Sequence, residues 1–274
     1  MRNDLRDRML AVRRQTVDSC AKCNGDGYLP MSEPGVLNPC DCMLVLHYLN
    51  TLIEARIPQD YWWLTLNGLT AIDKKYRELC TKYVKHLKNA AAQARGVFFY
   101  GANGIGKTSL QCVIGKAAII AGFTVQYFTS SQLIEALRNS DVNADRLAEF
   151  ETAQFILLDE IDKVYVKQGS SYVPKLLEEF LRRVVSRGTA AVMCANSTAA
   201  GFENTFGEST TSMLKRHLKF VPMKGSDYSN TLHNGWMENL TRPRDYIADP
   251  ILAEAKALWI REQEEETHEW EKAR

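Results

Sequence analysis

The feature that most constrains this chain is Gly101-Ala-Asn-Gly-Ile-Gly-Lys-Thr108, which follows directly on the β-branched and aromatic run Val97, Phe98, Phe99 and Tyr100. It fits G-x-x-x-x-G-K-[ST], a turn between strand and helix whose backbone N–H groups surround phosphate oxygens. Gly101, Gly104 and Gly106 permit the positive φ angles and close backbone approach that such a turn requires. Lys107 adds a point charge, Thr108 offers a hydroxyl to Mg²⁺, and a helix over residues 107–121 aims its positive end at the same phosphates. Asn103, Ile105 and Ser109 complete the predicted phosphate-binding stretch.

Downstream the pattern continues as strand and helix in alternation, which predicts an α/β fold with a parallel sheet. A strand is expected over residues 124–128, a helix over 130–137, and a further strand over 155–158. That last strand runs at once into Asp159-Glu160-Ile161-Asp162, a Walker B motif. A buried strand of this kind delivers Asp159 to Mg²⁺ and Glu160 to a water in line with a γ-phosphate. The nucleotide implied is ATP, and Glu160 argues for its hydrolysis rather than simple retention. A strand over 189–195 ends in Asn196, whose amide either orients that water and senses the γ-phosphate or opens the next turn.

Charge and cysteine usage bound the surroundings. The formal net charge of the 274 residues is +1, so no global field draws the protein to nucleic acid, and any such binding must use local patches. Seven cysteines, no signal peptide and no apolar run of about eighteen residues predict a soluble, cytoplasmic protein with no membrane segment. Cys20-x-x-Cys23 and Cys40-x-Cys42 flank a loop rich in Gly, Pro and Asn. Cys20, Cys23, Cys40 and Cys42 are the expected ligands of a structural Zn²⁺, with His47 as an alternative to one of them. The first sixteen residues carry Arg2, Arg6, Arg8, Arg13 and Arg14, which suits either nucleic acid or a solvated helix end.

The remaining segments are less specific. The run Tyr61, Trp62, Trp63 before the phosphate loop either covers an adenine ring or packs in the core. Residues 163–174 interleave Lys163, Tyr165, Lys167 and Tyr172 on an expected loop, a pattern that suits single-stranded nucleic acid or plain solvation. Residues 213–223 form a basic helix end leading into a fifth strand, and Arg216 there is the candidate to reach a neighbouring subunit's γ-phosphate. Asp249-Pro250 opens a last helix that turns acidic beyond Glu262.

Taken together, the GANGIGKTS loop, the LLDEID strand, the CANST strand end and the MLKRHLKFVPMKGSDY segment resemble the DnaC/DnaI/IstB branch of AAA+ ATPases over about residues 55–230. The resemblance implies a five-stranded sheet ordered 5-1-4-3-2, Asn196 as sensor 1, Arg216 as arginine finger, and an ATP-bound homo-oligomer, a hexamer or open spiral. The chain is expected to divide into three units: a zinc-binding, partner-docking module at 1–55, the ATPase core at 56–230 and a helical extension at 231–274, longer than a minimal loader needs. The family often has an arginine after Asp-Tyr, whereas Asp227-Tyr228 is followed by Ser229, leaving Arg242 or Arg244 as substitutes. The expected function is ATP-dependent loading of a replicative DNA helicase onto single-stranded DNA, with a phage or mobile element as a candidate source of the chain. The alternative is IstB-like control of transposase target selection.

Overall fold

The computed structural model describes residues 2–30, 37–139, 144–163, 172–228 and 250–273. The expected loop at Tyr165 and Lys167, and Arg242 and Arg244, lie outside the described residues. Five strands form one parallel sheet: β1 (Gly96–Tyr100), β2 (Val125–Thr129), β3 (Phe155–Asp159), β4 (Ala190–Ala195) and β5 (Leu218–Pro222). Their order is β2-β3-β4-β1-β5, which read from the other edge is the expected 5-1-4-3-2. This is the arrangement of AAA+ P-loop ATPases.

The sheet is apolar on both sides because helices cover both sides. Side chains alternate along β1, so Val97 and Phe99 enter one buried cluster and Phe98 the other. The Phe98 side is covered by α6 (Ser130–Arg138), α7 (Ala144–Thr152), α8 (Tyr172–Ser186) and α9 (Ala199–His217), through residues such as Leu133, Phe150, Leu177 and Phe202. The Val97 side is covered by α3 (Lys74–Lys85) and α5 (Lys107–Ile120), with α4 (Leu87–Ala92) beside them. The sequence reading missed α7 and most of α9.

The Val97 side also receives both ends of the chain. Helix α1 (Arg2–Thr16) packs on α2 (Asp41–Glu54), and α2 packs on α10 (Ile251–Ala273). Apolar residues of α2 recur at helical spacing, and Leu44, Leu49, Leu52 and Ile53 are buried. Ile251, Ala255 and Leu258 of α10 join the same cluster as Val12, Val17 and the strand residues. Trp62, 1% exposed, belongs to it too and donates its indole N–H to the Ile57 carbonyl at 2.9 Å. Trp62 is therefore a core residue, with no free face for an adenine ring.

One polar network ties these pieces together. Lys116 on α5 is 1% exposed, and its ammonium donates to Glu254 Oε2 at 2.8 Å and to the Trp62 carbonyl at 2.6 Å. The Tyr48 hydroxyl of α2 donates to the same carboxylate oxygen at 2.7 Å. Burial lowers the Lys116 pKa, and the Glu254 charge works against that drop. Removing one partner of such a pair strands the other's charge in the core. Glu254→Ala is expected to destabilise the protein by about 3 kcal/mol, whereas Lys116→Met with Glu254→Leu costs far less; urea unfolding of the two variants measures the difference.

Candidate functional site

The phosphate loop leaves the carboxyl end of β1 and turns through Gly104 at φ 73° and Gly106 at φ 85°. Gly106 is the N-cap of α5, so the helix opens at Lys107 with its first N–H groups directed back at the loop. A Cβ at Gly104 would lie 1.9 Å from Asp227 Oδ1, and the Tyr228 N–H donates to the Gly104 carbonyl at 2.8 Å. The segment after β5 thus lies against the loop, a contact the spacing of the motifs did not reveal. Buried Lys107 donates to the Gly101 and Ala102 carbonyls at 3.0 and 2.5 Å. To reach a nucleotide phosphate it must exchange these for phosphate oxygens.

Asp159 ends β3 and sits beside the first turn of α5. Its carboxylate accepts from the Thr108 hydroxyl at 2.8 Å, the Tyr127 hydroxyl at 3.0 Å and the Glu160 N–H at 2.8 Å. Burial pushes its pKa up, and those three donors pull against the rise. A hydroxyl and a buried carboxylate meeting at this distance are hard oxygen donors of the kind Mg²⁺ takes. Thr108 and Asp159 are the residues that would hold it. Tyr127 is an addition that sequence reasoning missed, and Tyr61, expected to cover an adenine ring or to pack in the core, has its phenol pKa pushed up by burial. The Tyr127 contact follows from register: β2 and β3 pair in parallel, with Thr129 opposite Asp159.

Glu160 has φ 54°, a left-handed conformation that costs a non-glycine residue about 1–3 kcal/mol. The turn is fixed by Ser130, whose hydroxyl donates to the Glu160 carbonyl at 2.7 Å, and by the Ile161 N–H on the Cys194 carbonyl at 3.0 Å. The Glu160 carboxylate, 35% exposed, is held by an ion pair with Lys163. The hydrogen bond to Glu160 and its charge raise the Lys163 pKa. Asn196 follows β4, and its backbone N–H donates to Asp162 Oδ1 at 2.9 Å, which sets the tip of β4 next to the acidic turn. Arg216 stands apart. It lies in the last turn of α9, just before β5, at the end of the sheet opposite the phosphate loop, so within one copy it does not meet the nucleotide site.

The second candidate site is the thiol cluster. The Sγ atoms of Cys20, Cys23, Cys40 and Cys42 lie within 4.8 Å of one another, with Cys20 to Cys40 at 3.8 Å and Cys23 to Cys42 at 3.5 Å. Thiolates at about 2.3 Å from a tetrahedral Zn²⁺ stand about 3.8 Å apart, so the donor set fits that ion. Burial opposes ionisation of Cys23, but the Gly27 N–H and the adjacent thiols outweigh it and bring its pKa down to about 7. Burial raises Cys42. His47 is not part of the cluster: its Nε2 pairs with Glu262 of α10 at 2.9 Å. Lys22 and Lys256 both bind Asp41, at 2.9 and 3.2 Å, fastening the cysteine loop to α10.

Comparison with known proteins gives this geometry a family. Residues 68–232 match the IstB-like ATP binding protein family. An insertion-sequence ATP-binding protein, IS5376, of Geobacillus stearothermophilus is 26% identical over 165 residues, covering 57% of this chain and 61% of that protein. The chain thus spans about three fifths of the length of that curated relative. The crystal structure of the DnaC helicase loader superposes with a TM-score of 0.52 at 17% identity, covering 61% of this chain and 100% of that one. The crystal structure of DnaI gives 0.51 at 14% identity, covering 61% and 94%. At these identities the likeness to the two loaders is one of fold. The family match takes in the phosphate loop, the acidic turn after β3 and the tip of β4, and the chain belongs to the IstB-like ATP binding protein family.

Proposed function

We propose that this protein is an ATP-driven switch that loads a replicative DNA helicase onto single-stranded DNA as a homo-oligomer. The observation that carries the reading is the thiol cluster's attachment to the nucleotide-binding body. The cysteine loop sits on α2, and α2 is joined to the phosphate-loop helix through Tyr48, Glu254 and Lys116. A partner held by residues 1–55 is thereby linked to the element that answers to nucleotide.

The chemistry assigned to the site is hydrolysis of ATP. The N–H groups of residues 101–109 and Lys107 hold the β- and γ-phosphates, and Mg²⁺, when bound, neutralises their charge. Glu160, freed from Lys163, accepts a proton from the attacking water, and Asn196 holds that water in line. Arg216 of a neighbouring subunit stabilises the charge that develops on the transferred group; within one copy it lies at the far end of the sheet from the phosphate loop. The four thiolates with Zn²⁺ fix a loop and leave no open position, so that site is structural.

A second reading is favoured by the insertion-sequence relative: the same switch would mark target DNA for a transposase. Capture of the tagged full chain from its host with Mg·ATP separates the two. A hexameric replicative helicase among the retained proteins supports the first reading, and a transposase in its place supports the second. Deleting residues 1–55 is a poor control, because α2 is part of the main core.

A further inference from the structure

At the end of the sheet opposite the phosphate loop, a cavity of about 570 Å³ opens between α3, α4, the start of β1 and the α9–β5 junction. Lys82, Arg95, Lys215, Arg216 and Lys219 line it, and no carboxylate does among the described residues. In a chain whose net charge is +1 this concentration is local, not a sample of the whole surface. One of these cations, Lys215, is paired with Glu203 at 3.7 Å, a carboxylate outside the lining. The floor is apolar, made by Leu79, Ala90, Val97 and Leu218 with the ring of Tyr83.

The walls are tied to one another. The Arg95 guanidinium donates to the Arg216 carbonyl, joining β1 to the end of α9, and the Tyr83 hydroxyl donates to the Arg95 carbonyl at 2.7 Å, joining α3 to both. Within this frame the Nδ1 atom of His217 is buried and has no hydrogen-bond partner among the described residues.

We infer that this cavity binds the phosphate of a nucleotide, with the base or sugar on the apolar floor and Lys82 and Lys219 beside the phosphate, Arg216 being committed to a neighbouring subunit's γ-phosphate. The volume is within the roughly 300–1,000 Å³ of small-molecule sites, and a cationic rim over an aromatic, apolar base is how nucleotide units are held without sequence preference. The nucleotide has two sources, a unit of a single strand or a free nucleoside phosphate. The first rests on the DNA contact in the proposed function, and the second does not.

The test uses the full chain and the double variant Lys82→Ala/Lys219→Ala, whose two side chains are exposed and outside the ATP machinery. Anisotropy of a labelled dT oligonucleotide is followed across a salt series. Free ATP binding is followed in a Lys107→Ala background, which removes binding at the phosphate loop. If a strand occupies the cavity, the double variant binds the oligonucleotide roughly tenfold more weakly, and the slope of log affinity against log salt falls by about 1.4, at about 0.7 per lost phosphate contact. If a free nucleotide occupies it, oligonucleotide binding is unchanged and the residual ATP binding is what falls. A parent that binds neither ligand overturns the site. A parent and variant that bind the strand alike, with residual ATP binding also unchanged, overturn this site and leave DNA contact elsewhere on the protein standing.

Discussion

Glu160→Gln leaves Mg·ATP bound and lowers its hydrolysis by about 10²–10⁴-fold, the usual contribution of a positioned general base. The expectation follows from a division of labour within the site. Phosphate binding comes from the loop amides, the α5 N-terminus and Lys107, and none of these depends on the Glu160 carboxylate. That carboxylate does one thing in the account, which is to take a proton from water. Glutamine keeps the side chain's size, and the left-handed turn at φ 54° is held by Ser130 on the Glu160 carbonyl and by Ile161 on Cys194, contacts the substitution leaves in place. Phosphate release and fluorescent-nucleotide binding, measured on the same preparation, give the two quantities. Hydrolysis at the parent rate would remove Glu160 from its assigned role.

Zinc accounts for the second large effect. The purified chain is expected to hold close to one zinc, and Cys42→Ser to hold none. Structural zinc in small peptides supplies about 10–16 kcal/mol of apparent folding free energy, because the site does not exist in the unfolded chain. The consequence here reaches beyond the cysteine loop, since all four thiols are buried in the same cluster as Leu44, Leu52 and the sheet residues Val97 and Leu157. Chelation is therefore expected to lower the melting temperature of the whole protein, not only to loosen residues 20–42. Metal analysis with a calorimetric scan before and after chelation tests both parts. A folded preparation without zinc, melting as the metal-loaded protein does, contradicts the assignment.

The nucleotide-binding half of the molecule is legible in sequence because its chemistry is local. Gly101 to Thr108 is contiguous, and Asp159 and Glu160 are adjacent at the end of an apolar strand, so spacing alone places them. The four cysteines are legible for the same reason. What sequence does not display is contact set by register or by long loops. Tyr127 reaches Asp159 only because β2 and β3 pair as they do, and Glu254 meets Lys116 across much of the chain. Helix α9 escapes periodicity for another reason. It is rich in Thr and Gly and is interrupted at Gly207, and it is held by packing, with Phe202 against Phe98 at 5.0 Å and against Phe206 at 4.5 Å. Tertiary burial there outweighs weak helix propensity.

The shift of strand β2 by one residue, from an expected 124–128 to Val125–Thr129, has a comparable origin. Thr129 ends the strand and caps α6, accepting from the Gln132 N–H while the Gln132 side chain accepts from the Thr129 N–H. The cap, not the apolar pattern, sets the boundary.

The central claim is that nucleotide state controls partner affinity, and the most direct measurement is binding of the full chain to its host's purified replicative helicase with Mg·ATP and with ADP. Glu160→Gln serves to hold the ATP state during the measurement. The account predicts helicase affinity higher by about tenfold or more in the ATP state, within the usual 5- to 150-fold range of coupling between sites. Equal affinity in the two states, or no helicase binding by a zinc-loaded, ATP-bound preparation, contradicts it.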